Sequence, residues 1–129
     1  MPVERERFEE LVAGAMSELP QEFRDSLENV DVVVQDYPSR GQLANVRRGT
    51  SLLGLYEGVP HTKRTRGYSL VPPDKITLFQ KPIEAMCRSE QEIAAEIAEV
   101  LLHEIAHHFG IDDSTLRRIE AEKHKRKTR

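Results

Sequence analysis

Two histidines and a glutamate stand together at His103, Glu104 and His107, in the order H-E-x-x-H. On a helix, 100° per residue leaves His103 and His107 only about 40° apart around the axis and about 6 Å apart along it, so both imidazoles can converge on one divalent ion. Neutral imidazole is a good zinc ligand, and zinc accepts the tetrahedral arrangement that two such rings begin. Glu104 lies beside them but is badly placed to be a third ligand. It is placed instead to take a proton from water that the ion activates.

The helical wheel adds to the motif. Ile93, Ile97, Val100, Leu101 and Ile105 define an apolar face, and Glu104 falls near its middle. An unpaired buried charge costs several kcal/mol, so Glu104 must open into a polar cavity or meet a cation or ion-activated water. A surface helix whose histidines and glutamate merely face water gives no reason for that placement.

Catalytic zinc usually has three protein ligands and one open position. Downstream the chain reads His108-Phe109-Gly110-Ile111-Asp112-Asp113, so the extended pattern is H-E-x-x-H-x-x-G-x-x-D. Gly110 permits a sharp turn, and Asp113 stands where the metzincin pattern holds its third histidine. Asp113 is therefore the expected third ligand. The competing role is to cap the last helix, but Asp112 and Ser114 are also good caps and leave it free. Asp112, Glu120, Glu122 and His61 are reserve ligands. His108 sits about 100° around the axis from His107, too far to share the ion, and reads as a packed or hydrogen-bonded residue. Cys87 has no local base and reads as a small buried hydrophobe. His61 and Tyr68 could approach a developing negative charge, although a loop role suits each better, and His124 reads as solvated.

The elements that must position these residues can be outlined. Phe8, Leu11, Val12, Ala15 and Leu19 recur at helical spacing from Glu4 to Leu19, and Pro20 ends that pattern and can open a short helix carrying Phe23 and Leu27. Val30 and Val32 to Val34 predict a first, buried strand; Leu52 to Tyr56 predicts a second. Tyr37 to Gly41 is turn chemistry, and 58–73 reads as a long polar loop. Lys75 to Gln80 predicts a third strand closed by Pro82, with a helix over Ile83 to Arg88. Ser89 with Glu92 is a capping-box signature for the motif helix, Glu90 to Phe109, which Gly110 stops. A last helix is expected from Ser114 to about Lys125. Strands and helices mix without a strand-helix-strand rhythm, so the class is α+β.

At 129 residues and 38% apolar, the chain is the size of one domain, taken as 1–129. No stretch approaches the roughly 20 apolar residues of a membrane helix, no secretory segment stands at the start, and the single cysteine asks for no oxidising compartment. The expectation is a cytoplasmic protein with no membrane partner. Net charge is −3, yet residues 117–129 carry seven Lys/Arg against two Glu. Such a tail can touch nucleic acid, but cations also suit a helix end and no aromatic residue interleaves with them. The same holds for His61 to Arg66 (HTKRTR), and nucleic acid is not the favoured partner.

The segment HEIAHHFGIDD, with LLGLYEGVP at Leu52 to Pro60 and KITLFQKPIE at Lys75 to Glu84, resembles the small bacterial family of zincin-like metallopeptidases, a minimal matrix-metalloprotease-like domain. The resemblance implies a compact α+β fold with a short mixed sheet packed on the active-site helix, and an intracellular protein. It implies one zinc ion held by His103, His107 and Asp113, with Glu104 as general base, acting on a peptide or protein substrate. It also suggests that Lys75 to Gln80 is an edge on which an extended peptide could pair. The chain departs from the wider metzincin pattern in having no methionine after Met86, hence no methionine turn. Two other classes fit the residues: a non-catalytic module stabilised by its metal, and a metal-dependent hydrolase acting on RNA through the basic tail.

Overall fold

The computed structural model describes residues 1–44, 52–58, 73–110 and 114, 115, 117, 118 and 121. Its elements are α1 (Arg5–Ser17), α2 (Gln21–Ser26), β1 (Val30–Gln35), α3 (Arg40–Leu43), β2 (Gly54–Glu57), β3 (Asp74–Phe79), α4 (Gln80–Ala85) and α5 (Glu90–His108). The α+β expectation holds, with a three-stranded mixed sheet in the order β1-β3-β2. The strand β1 runs parallel to β3, and β2 runs antiparallel to it.

The period of two in each strand decides what the sheet buries. Val32, Ile76 and Tyr56 are paired neighbours across the three strands, as are Val34, Leu78 and Gly54. These rows face the helices, and Ile76 and Leu78 join Phe8, Phe23, Ile93, Ile97, Leu101 and Ile105 in one core. Helix α1 contributes Phe8, Val12 and Ala15 at intervals of four and three, one turn apart on the stripe that packs against α5.

Two expectations need correction. The valine run does not form a buried strand: β1 lies at an edge, with Val30, Val32 and Val34 half-buried and Asp31 and Val33 exposed. The edge assigned to Lys75 to Gln80 is wrong as well, because β3 is the middle strand, hydrogen-bonded on both sides. Its residues Ile76 to Phe79 are all buried, as a strand covered on both faces requires.

Pro82 also acts otherwise than expected. It lies inside the first turn of α4, where its missing N–H removes no helical bond, so the helix begins at Gln80 rather than Ile83. The turn at Tyr37 to Gly41 continues into the single helical turn α3, closed by a capping box between Ser39 and Gln42. Of the last expected helix, Ser114, Thr115, Arg117, Arg118 and Ala121 are described and helical.

A buried polar tie fastens the start of the chain to α4. Glu84, 3% exposed, accepts from the Val3 N–H (3.0 Å) and from Gln80 Nε2 (2.7 Å). Gln80 Nε2 also donates to Val3 O (2.9 Å), and Arg5 Nε donates to Gln80 Oε1 (2.7 Å).

Candidate active site

Helix α5 carries the motif and is fixed at both ends. Ser89 Oγ accepts from the Glu92 N–H at 3.1 Å, while the Glu92 carboxylate reaches back to the Arg88 N–H rather than to that of Ser89, so only half of the expected capping box forms. At the other end Gly110 takes φ +71°, a left-handed conformation that ends the helix cheaply only at glycine. Between the caps, Ile93, Ile97, Val100, Leu101, Leu102, Ile105 and Ala106 are buried, which pins the rotation of the helix.

That rotation lays α5 alongside β2. At Gly54 an added Cβ would come within 2.5 Å of Val100 Cγ1 and 3.3 Å of the Thr77 carbonyl oxygen. Two residues further along the strand, the Tyr56 N–H donates to Glu104 Oε1 at 3.0 Å. Strand and helix therefore advance together, since two strand residues cover about 6.6 Å and four helical residues about 6 Å.

Glu104 is half-buried, as the wheel demanded, and its partner is a main-chain amide. Burial pushes its carboxyl above the usual range, against the opposing pull of the Tyr56 hydrogen bond and of any charge on His107 and His103. A carboxyl held in this way is a better proton acceptor than a solvated one. The rings of His103 and His107 stand edge to face with centroids 6.3 Å apart. His103 Nε2 lies 2.7 Å from Glu99 Oε1, so the imidazole donates to that carboxylate and, when neutral, keeps its lone pair on Nδ1.

This donor chemistry fits an implied zinc ion in kind: two imidazoles one turn apart on one helix, one of them oriented by a carboxylate, next to a desolvated acid. Among the described residues no group of three His, Cys, Asp or Glu side chains is gathered for a metal. Asp113 lies outside the described residues, as do Asp112, Glu120, Glu122, His61, Tyr68, His124 and the patch at His61 to Arg66.

His108 is held apart from the motif. Its ring stacks on Tyr56 with centroids 3.8 Å apart and 15° between the planes, its Nε2 lies 3.9 Å from Asp74 Oδ2, and Phe109 meets its edge. Tyr56 in turn donates its hydroxyl to Asp74 Oδ2 at 2.8 Å. His108 is thus packed, as expected, with half-buried Tyr56 as its stacking partner. Cys87 is buried, as expected, and burial pushes its thiol up.

Sequence reasoning missed three neighbours of the motif. Glu99 could have been found, because it lies four residues before His103 and hence on the same face. Tyr56 and Asp74 carried no such signal, since their meeting depends on the pairing of β2 with β3.

Beside the motif, a cavity of about 230 Å³ opens between the start of β2 and the middle of α5. Leu52, Leu53 and Val100 supply apolar walls, Glu96 and Glu99 line it on the helix side, and His103 and Glu104 belong to the same lining.

Comparisons with known proteins agree with this architecture. The family model described as zincin-like metallopeptidase matches residues 27–123. No curated protein matches the chain significantly. Among solved structures, the chain is similar to a conserved hypothetical protein from Thermo thermophilus, at 25% identity and a TM-score of 0.52, over 83% of this chain and 94% of that one. The match of the family model covers most of the chain, including both strands beside the motif and the whole of α5, and this chain belongs to the zincin-like metallopeptidase family.

Proposed function

We propose that the protein is a zinc-dependent peptidase of the cytoplasm that hydrolyses peptide bonds in peptide or protein substrates. His103 and His107 hold the ion, with Asp113 as third ligand. When bound, zinc supplies Lewis acidity, easing ionisation of water near neutral pH and polarising the scissile carbonyl. Glu104 takes the proton of the attacking water and later delivers it to the leaving amine. The Tyr56 N–H fixes the carboxylate's direction, and Glu99 orients the His103 ring.

The observation that carries this reading is Glu104 itself: a carboxylate placed in an apolar stripe, held by one main-chain amide, beside two imidazoles spaced for one ion. A solvated or purely structural acid has no use for that environment. The test compares wild type with Glu104→Gln for zinc content and for cleavage of a broad peptide library. The expected result is equal zinc and a loss of cleavage of at least about a hundredfold in the variant. Equal biological activity of the two proteins, with unfolding of His103→Ala, would identify the metal as structural instead.

A further inference from the structure

The cavity between β2 and α5 is mixed in character. Leu52, Leu53 and Val100 give it walls that suit an aliphatic stem. Its carboxylates come from Glu96, Glu99 and Glu104, and among the described residues no lysine or arginine lines it. Glu99 spends one oxygen on His103, whereas Glu96 makes no side-chain hydrogen bond or ion pair among the described residues. Glu96 lies seven residues before His103, about 10 Å along the helix axis, so its carboxylate stands well away from any ion held by the motif. That separation corresponds to about three residues of extended chain.

We propose that this cavity is the specificity pocket of the cleft and takes the side chain of a lysine or arginine lying within three residues of the scissile bond. The stem packs on Leu52, Leu53 and Val100, and the cationic end reaches the carboxylates of Glu96 and Glu99 while remaining partly hydrated. An apolar side chain of the same length would fill the walls but leave Glu96 without a partner. An acidic side chain would be repelled. This proposal names the substrate class for the peptidase reading and rests on it for the position of the cleft.

The test uses equilibrium binding, because binding separates the pocket from the chemistry. Three fluorescent peptides, alike except for lysine, norleucine or glutamate at one position, are titrated by anisotropy into the full-length Glu104→Gln protein in zinc-containing buffer. Lysine is expected to bind about fivefold more tightly than norleucine, the size of one well-placed ion pair, and glutamate the most weakly. Adding Glu96→Gln should remove the advantage of lysine over norleucine, and Glu96→Lys should reverse the order so that glutamate binds best, with far-UV circular dichroism confirming that each variant folds. Norleucine binding as tightly as lysine, an order unchanged by Glu96→Lys, or no binding by any of the three peptides would overturn the proposal. Cleavage by wild type is scored separately. A charge preference without cleavage would retain the pocket and sink the peptidase reading, and cleavage without a charge preference would do the reverse.

Discussion

Glu104 shows what burying a single carboxyl costs a fold. Burial raises its carboxyl pKa, so ionising it opposes folding in the metal-free protein. In acid the group is protonated in both folded and unfolded chains, and the penalty is absent. It accumulates as pH rises from the unfolded value of about 4.3 through the raised folded value. Glu104→Gln keeps an oxygen for the Tyr56 N–H and abolishes the titration. In the presence of a chelator the variant should melt above wild type at pH 7, and the two melting curves should converge below about pH 4, as measured by calorimetry across that range. A variant that gains stability while losing cleavage is the signature of a residue kept for chemistry. Much of this was legible in the sequence, because the 100° step places Glu104 in the stripe of Ile97, Val100, Leu101 and Ile105. The amide that holds it was not, because no local pattern says which strand will lie beside a helix.

At the scale of elements, the site depends on how closely β2 approaches α5. Gly54 is the point of contact, and both neighbours that an added methyl would meet resist displacement: a β-branched Val100 and the Thr77 backbone carbonyl. Gly54→Ala should push strand from helix, costing about 2 kcal/mol of stability in denaturant melts, as overpacking typically does. Because Tyr56 rides on the same strand, cleavage should fall by more than folding does, measured as kcat/KM on whichever library peptide is cut best. Most helices and strands were readable from periodicity and caps, although the sequence shows α3 only as a turn and α4 starts three residues early. Their neighbours were not: a short run such as KITLF is compatible with edge or centre, although its unbroken burial now marks it as central. The valines of β1 gave the opposite error, since β-branched density signals a strand without saying how many of its faces are covered.

Across the whole molecule, the buried tie at Glu84 joins residues more than eighty positions apart. Glu84→Ala leaves the Val3 N–H without its acceptor and takes from Gln80 one of its partners. Loss of a buried carboxylate that accepts two hydrogen bonds should cost about 3 kcal/mol, read as a shift in the urea midpoint, with zinc binding unchanged in the variant that remains folded. Such a contact lies beyond sequence reading, which sees only a charged residue in a short helix. No described helix is long and apolar enough to cross a membrane.

The bond that aims Glu104 is made by peptide nitrogen, not by any group that mutation ordinarily alters. Every residue type but one carries that N–H at position 56. Proline alone erases the donor. Tyr56→Ala should therefore retain most of the hydrolytic rate, and Tyr56→Pro should abolish it, a contrast that a side-chain anchor would never produce.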